Sequence, residues 1–153
     1  MLSPVDQEWL RGHVARLAHS HQRWVGRPLF PGVPEPEWLA AAWLGPFVLV
    51  SHGPETDPVL NFGNRTALGL WAMTWDEFVR TPSRFTAEAP NREERARLLA
   101  EVTAHGFIAN YAGVRISQTG RRFRIQAATV WNVVDEAGAP AGQAATFDRW
   151  EWI

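Results

Sequence analysis

The side chains here that could do acid–base, nucleophilic or metal chemistry are five histidines, sixteen carboxylates and the hydroxyl residues. There is no cysteine, and all fifteen basic residues are arginine. Lack of cysteine removes disulfides, thiolate nucleophiles and Cys-ligated metal sites. Lack of lysine removes Schiff bases, P-loop lysines and lysine general bases. His19 and His21 are two apart, which on a helix sets them on different faces, with no carboxylate three or four residues from both. Ser51 and His52 are neighbours on a strand-like segment and so point to opposite faces, which is wrong for a nucleophile and its base. Asp76/Glu77 and Glu93/Glu94 fall in first helical turns, where acids serve caps and dipoles rather than paired-carboxylate hydrolysis. Arg115, Arg121, Arg122 and Arg124 gather around one hairpin. Their guanidinium forks suit a carboxylate or phosphate, and a solvated sheet face is the plainer reading. Arg115 stands out because it lies mid-strand between Val114 and Ile116, on the less apolar face.

The elements that must position these residues come from one domain's worth of chain. At 153 residues, 46% apolar and 20% charged, the composition is globular and excludes collagen, coiled coil and disorder. A net charge of −1 gives no field for nucleic acid or an anionic membrane. No apolar run reaches a membrane span, and the opening residues lack a signal-peptide plan, so a cytoplasmic protein is expected.

Ser3 can cap a first helix, with Pro4 in its first turn. Leu10, Val14, Leu17, His21 and Trp24 then recur at spacings of three and four as an apolar seam that ends at Gly26. A proline-rich connector, 27–36, leads to a short helix over 37–44. From Pro46 the pattern turns to strand: 47–50 and 59–62 flank a turn and predict a hairpin. Asn64 caps a helix through Met73, and Thr74 with Glu77 makes a capping box for another that Pro82 closes. Asn91, with Glu94 three residues on, opens a longer helix whose inner face carries Leu98, Leu99 and Val102 and which ends at His105-Gly106. Three strands follow, 107–117, 122–134 and 141–152. Strict alternation puts Phe123, Ile125, Ala127, Thr129, Trp131 and Val133 on one face of the middle strand.

Two strands, several short helices, one longer helix and three antiparallel strands is the order of a PAS domain, which the sequence resembles from Val59 to Trp71 and at Met73–Phe78. A closer resemblance is to the MEKHLA family, a PAS-like group whose stand-alone bacterial members are similar at Leu49–Gly53, Asn61–Arg65, Asn91–Arg95 and Gly113–Ser117. The most specific matches are Gly120–Phe123 and Ala128–Asn132, on one hairpin. The resemblance implies an α+β fold: a five-stranded antiparallel sheet with short helices and one longer helix on one face. It also sets an amino-terminal helical extension, 1–45, against a PAS-like domain, 46–153.

What the resemblance implies for function is a non-enzymatic sensory or interaction domain, with a small ligand in a cavity or a protein partner. Phe47, Trp71, Phe78, Phe85, Phe123, Trp131 and Phe147 come from elements this fold would bring round one interior. Asn110, Tyr111 and Thr129 would supply hydrogen bonds there, and Arg115 a cation; a tightly filled aromatic core is the competing reading. No cofactor is named. Photochemical flavin adducts need a cysteine the chain lacks, although Gln126, Asn132 and Gln143 could face a flavin edge. Haem would draw on His105 of the long helix, a place that a helix terminus also favours for histidine. With the domain filling the chain, output is expected to go to a separate effector protein. The seam Leu10, Val14, Leu17 and Trp24 is expected either to join two copies or to pack on the sheet. The alternative is a small enzyme on a cone-shaped α+β fold, with His52 or His105 paired with an acid such as Asp148.

Overall fold

The computed structural model describes residues 4–153, so the expected Ser3 cap lies outside the described residues. Helix α1 (Pro4–Val25) ends where Gly26 takes a φ of +80° and its N–H bonds the carbonyl of Gln22 at 3.0 Å. The connector ends in a 3-10 turn (Glu35–Glu37) and α2 (Trp38–Leu44). Strands β1 (Val48–His52) and β2 (Leu60–Gly63) form the hairpin. Then come α3 (Arg65–Trp71), α4 (Trp75–Phe78), a 3-10 turn (Ser83–Thr86) and α5 (Ala89–His105). The last third is β3 (Phe107–Ile116), β4 (Arg122–Val134), β5 (Pro140–Phe147) and β6 (Arg149–Trp152). The sheet runs β2-β1-β5-β4-β3, all antiparallel, and β6 carries on beside β4 after a break at Asp148.

Asn64 locks the junction of hairpin and helices. Its Oδ1 caps α3 by accepting from Ala67 N–H at 3.0 Å and also takes Leu49 N–H at 3.2 Å. Its Nδ2 donates to the carbonyls of Ala42 and Phe47, at 3.0 and 2.7 Å. A fully buried amide is stable only when so satisfied. Helix α3 stops at Trp71, where Ala72 turns left-handed at φ 57°, two residues earlier than the Met73 expected. The Thr74–Glu77 capping box forms as expected, and the α-helix it opens ends at Phe78 rather than at Pro82. Helix α5 begins at Ala89 with proline in its first turn, so Asn91 lies inside it and caps nothing; proline at the start of a helix is preorganised for that place.

Both faces of the sheet are covered. On the outer face α1 sets Leu10, Val14 and Leu17 against Leu49, Phe62, Trp131, Val133 and Ala144. The seam expected to join two copies is therefore the contact between α1 and its own sheet, which buries Leu10, Val14 and Leu17 almost completely. On the inner face lie α3, α4 and α5, over Val48, Phe123, Ile125, Ala128, Val130 and Phe147.

Strict alternation along β4 fails at Ala127. Pairing runs Gly113↔Ile125 and then Tyr111↔Ala128, so one extra residue sits in β4, and Ala127 takes φ 53°. A second offset on β3 follows between Tyr111 and Ile108, where Asn110 has φ 58°. Such bulges reverse which face the following residues occupy. Phe123 and Ile125 stay inward, Ala128 and Val130 join them, and Trp131 and Val133 turn outward to α1.

Candidate functional site

The inner face does not close completely. Between α5, α3, α4 and the sheet lies a cavity of ≈ 70 Å³, lined mainly by apolar groups including Val50, Leu60, Leu98, Ile125, Val130 and Phe147. A water needs about 10–15 Å³ of such space, so the cavity holds about five to seven waters, or a molecule of similar bulk. Helix α5 supplies its upper wall because Arg95, Leu98 and Leu99 are three and four residues apart and share a face.

A few polar groups converge on this apolar space. Arg115 is 5% exposed; its Nη1 donates to its neighbour's carbonyl, Val114 O, at 2.9 Å and its Nη2 to the Tyr111 hydroxyl at 3.3 Å. That hydroxyl in turn donates to the Glu94 carboxylate at 2.9 and 3.0 Å. Burial raises the Tyr111 pKa above its ordinary value. Gly113 permits this arrangement: a Cβ there would strike the Tyr111 hydroxyl and crowd Arg115 Nη1. Arg95 also lines the cavity, and no hydrogen bond or ion pair engages it among the described residues. Burial and then the like charge of Arg115 push its pKa down to about 10.

His52 is 8% exposed and its Nδ1–H donates to Gly53 O at 3.0 Å, which leaves Nε2 a buried acceptor that no N–H or O–H meets in hydrogen-bond geometry, beside the Gln143 amide of the neighbouring strand. Burial holds its pKa below 6.5, partly opposed by the Gly53 carbonyl, Glu55 and Gln143 and reinforced by Arg95, so the ring is neutral at pH 7. The indole N–H of Trp71 is likewise buried without a partner. Gln143 closes one end, its Nε2 sharing two hydrogens among Leu99 O, Thr103 Oγ1 and Asn132 Oδ1, each 3.1 Å away, and so tying α5 to the sheet.

Of the residues expected round one interior, Trp71, Phe78, Tyr111, Arg115 and Phe147 line this cavity. Phe123 is fully buried behind it, 5.2 Å from the Trp71 ring. The others lie elsewhere. Trp131 faces α1 after the bulge, its Nε1–H donating to Leu17 O at 3.2 Å. Thr129 pairs with Thr146, which with Phe47 borders a separate pocket under the proline connector. Asn110 is exposed because its left-handed backbone belongs to the β3 bulge. Phe85 is 44% exposed, with the guanidiniums of Arg84 and Arg92 at 4.4 and 5.0 Å from its ring.

The arginine group disperses as well. Arg121 stacks on Trp152 at 3.8 Å, Arg122 pairs with Glu88 at the start of α5, and Arg124 is exposed opposite Glu151; only Arg115 turns inward. Sequence reasoning missed Arg95, and it set His52 in a pocket only in the enzyme alternative. The signal for Arg95 was present, three and four residues before Leu98 and Leu99 on a face already read as inward.

Other candidates do not assemble. His105 is exposed in the last turn of α5 and does not line the cavity, so it is not placed to hold a haem there. His19 pairs with Glu35 at 3.0 Å on the surface, while His21 Nδ1 donates to Arg27 O at 2.8 Å. No cluster suited to a metal occurs among the described residues. Asp148 is exposed, and no carboxylate bonds His52 or His105 among the described residues. Gln126 reaches Glu151 on the surface, and Asn132 donates to Val102 O at 2.9 Å. No helix among the described residues is long and apolar enough to cross a membrane.

The model of the MEKHLA domain matches residues 11–152, which includes most of α1. Among curated proteins, none matches the chain. Among solved structures, the PAS domain of a protein from Colwellia psychrerythraea is similar at 11% identity with a TM-score of 0.62, covering 74% of this chain and 92% of that one. A light-oxygen-voltage domain studied with a flavin analogue is similar at 13% identity and TM-score 0.59, covering 75% and 83%. The light-oxygen-voltage protein of Rhodobacter sphaeroides is similar at 11% identity and TM-score 0.57, covering 71% and 61%. The chain thus has the PAS fold. A flavin does not fit this cavity: a three-ring system far exceeds the bulk of five to seven waters (about 10–15 Å³ each), and no cysteine stands ready for an adduct.

Proposed function

The chain belongs to the MEKHLA domain family, and on that footing we propose that it is a sensor domain which takes up one small molecule between α5 and the sheet. The observation that carries this reading is an apolar cavity between α5 and the sheet, with a few polar residues in its lining, among them Arg95, Arg115, Tyr111 and His52. The lining residues His52 and Trp71 each keep a buried ring nitrogen without a geometric hydrogen-bond partner, an arrangement that costs about 1–3 kcal/mol per group and that a polar end of a ligand would relieve. Water alone suits the space poorly, since an ordered water needs two to four polar partners and most of this lining is apolar. Helix α5 is held over the cavity by the Gln143 and Asn132 amides, so a ligand beneath it would bear on those same bonds.

Native mass spectrometry of protein purified from its own host tests the reading. The expected result is a species carrying the added mass of one small molecule, absent from an Ala145→Leu variant whose new side chain fills the cavity. Bare protein mass in both samples would overturn it.

A further inference from the structure

We infer that the molecule this cavity takes is a small organic carboxylate whose charged end is met by Arg95 and Arg115, an inference that rests on the cavity reading above. Two arginines from different elements, α5 and β3, line one small apolar space. Glu94 of α5 accepts the Tyr111 hydroxyl, and Tyr111 accepts from Arg115. Glu94 therefore balances Arg115 at one remove, through a phenol. Arg95 has no counterpart: no carboxylate lies within 4 Å of it among the described residues, and the charge it faces is Arg115. Placing like charges together away from water is costly unless an anion joins them, and a guanidinium pair offers donors in the planar geometry that a carboxylate accepts.

The remaining lining defines the rest of the ligand. His52 is neutral and offers an acceptor, Trp71 offers a donor, and Leu98, Ile125, Val130 and Phe147 offer only apolar surface. Five to seven waters correspond to about 150–210 Å³ of liquid, the bulk of a benzoate-sized acid with one apolar end. Inorganic phosphate would meet the arginines and leave the apolar walls uncovered. Gly113 sharpens the specificity, since any side chain there would push the Tyr111 hydroxyl aside and release Arg115 from its path to Glu94.

The test titrates the full chain with benzoate and hexanoate, with their neutral amides, and with inorganic phosphate, reading tryptophan fluorescence and melting temperature. The acids are expected to bind about ten- to a hundredfold more tightly than the amides or phosphate, the margin of one or two charge-assisted contacts. Arg95→Gln should bring acid affinity down to that of the amides, with an unchanged urea midpoint expected because Arg95 is of intermediate exposure, and Arg115→Gln gives the second measurement at a deeply buried position. Equal binding of acid and amide, equal binding of phosphate, or full acid affinity in Arg95→Gln would overturn the inference while leaving a ligand cavity in place. If no probe binds at millimolar concentration but native protein carries a mass that Ala145→Leu loses, the carboxylate is wrong and the cavity stands. If no probe binds and the native mass is bare, both fall together.

Discussion

The two faces of this sheet are packed by different rules. The outer face, under α1, is closely packed: Val14, Leu17, Leu49, Phe62 and Trp131 are fully buried, with Ser20 bonded to Val134 and the Trp131 N–H to Leu17, although Trp24 Nε1 and Arg16 Nε are buried there without partners. The inner face, under α5, keeps a cavity lined by two arginines. Close packing gives rigidity and stability, while an incompletely filled face holds the capacity to bind. Matched substitutions should separate them. Leu17→Ala is expected to cost about 3–4 kcal/mol, as it opens a void in a close-packed layer. Leu98→Ala should cost about 2 kcal/mol, because one side of Leu98 already borders empty space. Urea unfolding measures both; equal losses would mean the inner face is as tightly packed as the outer one.

The histidines extend the comparison to pH. His13, on the buried face of α1, has Nε2 2.9 Å from Ser51 Oγ; that hydroxyl donates to Asn61 Oδ1, so Nε2 carries the hydrogen and donates to Ser51. Burial, with a smaller push from Arg16, lowers its pKa from 6.5 to about 4. A base whose folded pKa lies below its unfolded value binds fewer protons when folded, so its contribution is complete above pH 6.5. It is lost as the pH falls toward 4, by about 3 kcal/mol at most. His13→Gln should flatten the stability profile across that window, as followed by urea midpoints from pH 7 to 4. His52→Gln should flatten it less, since the Gly53 carbonyl, Glu55 and Gln143 offset part of the burial at His52, whereas nothing offsets it at His13. A larger effect at His52 would mean that those groups do not support a charged ring there.

The order of elements, the hairpin, the Thr74–Glu77 box and the inward face of α5 were all legible, because each is written in local periodicity or capping chemistry that tertiary contacts did not override. Trp71, Phe78, Tyr111, Arg115 and Phe147 could be gathered because the fold family arranges their elements round one space. Trp131 and Thr129 went astray for one physical reason: a single left-handed residue, Ala127, shifts the phase of β4. Alanine carries no sign of that, unlike the glycine usual at such a place. Phe85 went astray because it lies in a short 3-10 turn on the surface between its chain neighbour Arg84 and Arg92 of α5, and so short an element has no periodicity to show which side chains face out. The dimer seam was legible as a seam; periodicity marks an apolar face and cannot say whether sheet or second copy covers it.

Ala144 and Ala145 are adjacent on β5 and point to opposite faces, which makes them a direct probe of the difference. Ala144→Leu should cost about 1–3 kcal/mol by overpacking against α1, whereas Ala145→Leu should cost less than about 1 kcal/mol because the cavity accepts the added methyls. Thermal unfolding of the two variants measures this. Equal penalties would mean that the cavity closes in solution.

The smallest effect falls at the point where the faces exchange. Ala127 is exposed and holds φ 53°, a conformation that costs an L-residue on the order of 1–2 kcal/mol and glycine almost nothing. Ala127→Gly should therefore raise stability by about 0.5–1 kcal/mol, since relief of this strain outweighs the greater chain entropy of glycine. One residue on, Ala128 is fully buried on the inner face with ordinary strand geometry, and Ala128→Gly should lower stability by about 1 kcal/mol or more. Opposite signs at neighbouring alanines, read from urea midpoints, locate the bulge at Ala127. Equal losses at both would restore unbroken alternation along β4, return Trp131 to the face of Phe123, and place the largest aromatic residue of the strand in the cavity that Arg95 and Arg115 now line.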